Sequence, residues 1–118
     1  MKIVTVTIDD PVPQQGWVIV NYSAPAGGRT SVGYMLSEGV TAETVAAGLA
    51  QNMQGRPEWP AYLKAQAKGN AVRIACPDDV DGSDGLTFTA EYNPDPLQAG
   101  PKTPAPAWIA IAEEGWGG

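Results

Sequence analysis

Thr41–Cys76, TAETVAAGLAQNMQGRPEWPAYLKAQAKGNAVRIAC, decides the fold. Val45, Leu49 and Met53 recur at i, i+4 and i+8 with Ala42, Ala46 and Ala50 beside them, one apolar stripe along a helix. Thr41 stands where an N-cap belongs, Glu43 puts a carboxylate in the first turn, and Gly55 ends the segment. The alanines and Gly48 keep the helix face narrow, so that it can lie close against a sheet. Arg56-Pro57-Glu58-Trp59-Pro60 is too proline-rich for regular structure. Beyond it Leu63, Ala65 and Ala67 oppose Val72, Ile74 and Cys76 across Gly69-Asn70, while Lys64, Gln66 and Arg73 point the other way, which is the pattern of a hairpin. A short helix over Ala61–Lys68, entered through Pro60, is the competing reading.

Outward from this unit the chain reads as strands. Lys2–Ile8 alternates Val4, Val6 and Ile8 against Thr5 and Thr7, and Asp9-Asp10-Pro11 stops it. Gly16–Tyr22 is apolar on both faces, with Trp17 and Ile19 on one and Val18, Val20 and Tyr22 on the other, as in a central strand; Trp17 is also placed to face a neighbouring subunit. After the turn at Ala24–Gly28, Thr30–Leu36 sets Val32, Tyr34 and Leu36 against Ser31, Gly33 and Met35. Gly85–Tyr92 sets Leu86, Phe88, Ala90 and Tyr92 against Thr87, Thr89 and Glu91. The expectation is an α+β domain: a small antiparallel sheet of five or six strands with one main helix packed on it.

Residues 1–92 form the core domain in this reading and 93–118 an arm. Asn93–Ala107 carries five prolines in fifteen residues, so it should run extended and polyproline-like. Trp108-Ile109-Ala110-Ile111-Ala112 then makes a short apolar strand. Two dispositions are open to it: folding back onto its own sheet, or adding to the edge of a neighbour's.

Composition bounds the function. The 118 residues suit one domain, with 43% hydrophobic and only 17% charged residues against roughly 25% in an ordinary soluble domain, and a surface so poor in charge often has a partner. Thirteen acidic and seven scattered basic residues give a charge of −6, which argues against nucleic acid as a ligand. No uncharged run reads as a membrane span, and Met1–Val6 enters a strand at once without the features of a signal peptide, so synthesis in the cytoplasm is expected. Cys76 is the single cysteine; between Ile74-Ala75 and the following loop it reads as a small buried hydrophobe.

Chemistry-bearing constellations are sparse. Asp78–Gly85 clusters carboxylates, and Asp79, Asp81 and Asp84 are weak candidates for a Ca²⁺ loop, but EF-hand spacing is missing and a solvated acidic turn explains the composition. With no histidine there is neither a Ser-His nor a Cys-His pair, and Asp9/Asp10 and Glu113/Glu114 read as solvating pairs at strand ends. No catalytic residue, cofactor or enzymatic activity is expected. The interface candidates are Trp59 and Trp116, flanked by proline and glycine, with Trp108, Ile109 and Ile111 of the terminal strand.

The stretch from about residue 15 to 92 resembles a module of structural proteins of tailed bacteriophages. In that module a strand pair leads to a T-x-x-x-V-A-A-x-L-A-x-x-[IM] helix, here Thr41, Val45-Ala46-Ala47, Leu49-Ala50 and Met53. A turn and A-x-A-x-G-N-x-V-x-I follow, here Ala65 to Ile74, then a threonine-rich strand, here Gly85-Leu86-Thr87-Phe88-Thr89. The resemblance implies a virion component of the tail, baseplate or fibre region, an oligomer that binds copies of itself and other virion proteins. The insertion Gly55–Ala61 and the tail after Asn93 depart from the module, which leaves the position in the particle open. A capsid decoration protein is the alternative within this class. A carbohydrate-binding module using Trp59, Trp116 and a calcium-filled acidic loop is the alternative outside it.

Overall fold

Alternating strands hide one face each, and a helix is too narrow to cover them all, so the architecture turns on what covers the remainder. The structure, a computed structural model, describes residues 2–23, 29–55, 63–76, 87–95, 97, 103–104 and 106–115. The chain order is β1 (Lys2–Ile8), β2 (Gly16–Ser23), β3 (Arg29–Leu36), α1 (Ala42–Gly55), β4 (Lys64–Lys68), β5 (Ala71–Cys76), β6 (Thr87–Asn93), β7 (Thr103–Pro104) and β8 (Ile109–Gly115). All pairings are antiparallel and fall into two sheets, A in the order β4-β5-β1-β8 and B in the order β3-β2-β6-β7.

The α+β class with a single helix among the described residues stands, but the strands divide between two sheets instead of forming one of five or six. Widths explain the division. Five or six strands spread over roughly 25 Å at about 4.8 Å each, whereas a helix with its side chains is about 10 Å across. One helix would leave most of the apolar face wet. A second sheet covers it: Val4, Val6, Ile8, Val72, Ile74 and Ile109 of sheet A share one buried core with Val18, Val20, Tyr22, Val32, Phe88 and Ala90 of sheet B.

α1 fills the gap along one side, in contact with β3, β4, β5 and β1. Ala42, Val45, Ala46, Leu49, Ala50 and Met53 are its buried face. At Gly48 an added Cβ would lie 2.1 Å from the Tyr34 ring, so the glycine lets the helix approach β3 as closely as it does. The helix start is held from two sides. Thr41 Oγ1 accepts from Thr44 N (3.4 Å), and Asp10 Oδ1 accepts from Ala42 N (2.9 Å). Asp10, read from the sequence as a solvating carboxylate, therefore helps to cap α1 from the loop after β1. Gln14 ties the same loop to the helix entry, its Nε2 donating to Val40 O and its Oε1 accepting from Gly39 N.

Lys64–Lys68 is a strand, not a short helix, closed by a turn in which Gly69 has φ +60°. Asn70 carries that turn to β1, its Nδ2 donating to Ile8 O (2.7 Å) while Ile8 N donates to Asn70 O (2.9 Å). β2 is a central strand of sheet B, with Ile19 buried on its outer face beside Gly33, over which the half-buried Trp17 indole lies. Of the two dispositions open to the terminal apolar strand, the structure has the first: β8 pairs with β1 of its own chain, Ile8 opposite Ile109 and Ile3 opposite Glu114. The turn at Ala24–Gly28, the loop Pro77–Leu86, most of the proline-rich run and the side chain of Cys76 lie outside the described residues.

Candidate functional site

Of the residues singled out by sequence, Trp59, Trp116, Asp79, Asp81 and Asp84 lie outside the described residues. Trp108, Ile109 and Ile111 come together at the start of β8. Ile109 is buried in the shared core, and Ile111 and Trp108 are half-buried against it. The Trp108 ring meets Tyr92 edge-on, centroids 5.5 Å apart at 75°. Tyr92 Oη in turn donates to Gln15 O (2.9 Å), and burial pushes the Tyr92 phenol above its ordinary pKa of 10.0. Among the described residues no group of three or more histidine, cysteine, aspartate or glutamate side chains is placed to hold a metal ion. No described helix is long and apolar enough to cross a membrane.

The features open to a partner are the margins of the two sheets, where half of each edge strand's backbone groups lack a ladder partner. On one margin α1 supplies substitutes. Asn52 Nδ2 donates to Gly33 O on β3 (2.8 Å), and Gln54 Nε2 donates to Ala65 O on β4. Two amides from the last turns of one helix thus occupy one carbonyl on the edge strand of each sheet.

Among the described residues the opposite margin has no helix. There β8 ends sheet A, β7 ends sheet B, and β6 touches β8 between the sheets. The direction of the β8 backbone groups follows from β1. Ile8 N bonds toward the β4–β5 turn at Asn70, and Asp9 N bonds toward Trp108 O (2.8 Å). Since backbone groups alternate sides along an antiparallel strand, Thr7, Thr5 and Ile3 bond toward β8, at Ala110, Ala112 and Glu114. Ile109, Ile111 and Glu113 then turn their N–H and C=O groups to the outside. Ile109 N is occupied by Pro106 O (3.0 Å). Among the described residues no strand pairs with the outer side of β8. Sequence reasoning picked the apolar side chains of this strand; what the fold leaves available is its backbone edge.

The outer face of sheet B carries a polar ladder that only the register brings together. Asn21 stands opposite Ser31 on β3 and Thr89 on β6. Its Nδ2 donates to Glu91 Oε1 (2.6 Å) and Thr89 Oγ1 (3.3 Å), and its Oδ1 accepts from Ser31 Oγ (2.6 Å). An open depression of about 360 Å³, lined by Asn21, Tyr22, Ser23, Thr30, Ser31 and Thr89, sits over it. Both amide hydrogens of Asn21 are used inside the ladder, so the arrangement braces three strands and keeps no donor of Asn21 for a ligand.

The chain matches no protein family, no curated protein and no solved structure among those to which it was compared.

Proposed function

We propose that this chain is a non-enzymatic structural protein of a tailed-bacteriophage virion. It is tail-associated, in the tail, baseplate or fibre region, is made in the host cytoplasm, and assembles with copies of itself and with neighbouring virion proteins. Sheet edges and the proline-rich C-terminal arm, with β8 at its end, make the contacts. The observation that carries the assembly half of this reading is the outer edge of the seven-residue β8, with which no strand pairs among the described residues. An edge of that length is a template for another strand, and a monomer normally blunts it. The low charged fraction agrees with a surface that is covered in use. The virion half rests on the sequence resemblance. Its motif residues Val45, Leu49, Met53, Ala65, Val72 and Ile74 are all core residues, so the resemblance speaks to the shared packing unit first and to its place in a particle second.

Light scattering over a concentration series, followed by electron microscopy of the assembled fraction, tests the proposal. Closed rings of threefold or sixfold symmetry are expected for a tail component. A capsid decoration protein would instead bind only an assembled capsid lattice. A chain that stays monomeric at every concentration and binds a glycan panel in a calcium-dependent way would overturn the reading in favour of carbohydrate recognition.

A further inference from the structure

We infer that copies of this chain join head to tail by pairing the β8 edge of one copy with the β4 edge of the next, in the register that sets Glu114 opposite Lys64. Sheet A then continues without a break from subunit to subunit. The inference rests on the self-assembling role proposed above and commits it to one pair of edges.

The register within a single chain carries the argument. Reading across sheet A, Lys64 stands opposite Ala75, Ala75 opposite Ile3, and Ile3 opposite Glu114. The next row of the same face is Gln66, Arg73, Thr5 and Ala112, and the next is Lys68, Ala71, Thr7 and Ala110. Each row begins on the β4 edge and ends on the β8 edge. A copy displaced along the row direction therefore brings Glu114 to Lys64, Ala112 to Gln66 and Ala110 to Lys68 with no slip of register.

Direction and hydrogen bonding agree with that placement. Four antiparallel strands leave β4 and β8 running in opposite directions, so a displaced copy meets its neighbour in antiparallel fashion. The outward backbone groups of β8 are those of Ile111 and Glu113. On β4 the outward groups belong to Ala65 and Ala67, because the two-residue turn makes Lys68–Ala71 a bonded pair and the sides alternate from there. The displaced copy puts Ile111 against Ala67 and Glu113 against Ala65, outward groups against outward groups.

Charge separates this pairing from its rivals. β4 carries exposed Lys64 and Lys68 and no acid, whereas β8 carries Glu113 and Glu114 and no base. Two β4 edges brought together antiparallel would place Lys64 against Lys68, like charges directly opposite, which disfavours them. Lysines on an edge repel unrelated strands, and here the matching acid lies on the same sheet's other end. Joining two different edges is a heterologous contact, which closes into a ring or continues as a filament. Gln54 is the built-in competitor: its amide holds the Ala65 carbonyl that the incoming strand would use.

Sedimentation or light scattering of the full chain with Lys64→Glu, Glu114→Lys and the double variant tests the pairing, with circular dichroism confirming that each folds. Each single reversal is expected to weaken association about tenfold, replacing an attractive by a repulsive cross-strand pair, and the double variant to restore it. Gln54→Ala should strengthen association. Cysteines at Ala112 and Gln66 in a Cys76→Ser background should yield a ladder of disulfide-linked multimers on oxidation. Wild-type assembly with silent charge reversals and no ladder overturns the edge pairing and leaves self-assembly standing. Growth that stops at dimers, with Lys64→Glu silent, overturns it in favour of β8–β8 contact. A wild-type chain that never associates overturns both the pairing and the self-assembly beneath it.

Discussion

Along one margin of the sandwich an amphipathic helix lies between β3 and β4, buries six side chains and reaches one carbonyl on each edge strand; along the other, β6, β7 and β8 meet with no element laid over them among the described residues. The two margins share one core but differ in cover and in edge strands, β3 and β4 having eight and five residues and β8 and β7 seven and two. At the helix margin the strand edges are tied to a fully buried helix face, Val45, Leu49 and Met53, through Asn52 and Gln54 of the same helix. At the open margin β8 is held by its ladder to β1, by Ile109 in the core and by Trp108 against Tyr92, and among the described residues no strand takes up the outward backbone groups of Ile111 and Glu113. On β4 the helix packs along the strand and its Gln54 amide holds the Ala65 carbonyl, so α1 both steadies that edge and competes for it.

The largest effect that would break the contrast is Leu49→Ala. Leu49 is fully buried at the centre of the α1 face, and its truncation should cost about 3 kcal/mol from lost transfer and residual cavity. A loosened α1 should also weaken the hold of the Gln54 amide on Ala65 O, so self-association should rise as stability falls. Urea unfolding read alongside light scattering checks both. A loss below about 1 kcal/mol would mean that the helix is not what holds that margin. A smaller effect comes from Asp10→Ala. It removes one acceptor from the helix N-terminus while Thr41 keeps its own, and a cap of this kind is worth about 1 kcal/mol. An unchanged urea midpoint would show that Thr41 suffices alone.

The helix margin was also the part legible in the sequence. Period 3.6 names Val45, Leu49 and Met53, period 2 names Ala65, Val72 and Ile74, and the Gly69-Asn70 turn joins them, each within a few residues of chain. What was not legible needed contacts between distant residues. Alternation tells which face of a strand is buried and not which sheet it joins, so the division into two sheets had no local signal. Asp10 lies 32 residues from the amide it caps, and Asn21 lies 70 residues from Glu91. The rows across sheet A need three registers at once. The terminal strand drew notice for its apolar side chains, which β1 and the core take up, while its edge became visible only when its neighbour was known.

The smallest effect probes the open margin, through Tyr92→Phe. The substitution keeps the edge-on ring contact with Trp108 and deletes the hydrogen bond from the phenol to Gln15 O, so stability at neutral pH should fall by about 1 kcal/mol. The pH dependence has a definite sign. Burial raises the folded pKa of Tyr92 above 10.0, so below pH 10 the phenol is protonated whether the chain is folded or not, and its ionisation contributes nothing to the slope. Above pH 10 the unfolded chain releases that proton while the folded chain keeps it, and wild-type stability falls until the pH passes the folded pKa. The phenylalanine variant has no such proton. Its deficit relative to wild type should therefore be constant from pH 7 to about 9 and shrink above 10, in urea midpoints measured for both proteins in one buffer series. Parallel curves through pH 11 would mean that the phenol is as free in the folded chain as in the unfolded one. In that case the Tyr92–Trp108 contact does not pin the start of β8, and the open margin would be looser than its side-chain anchors indicate.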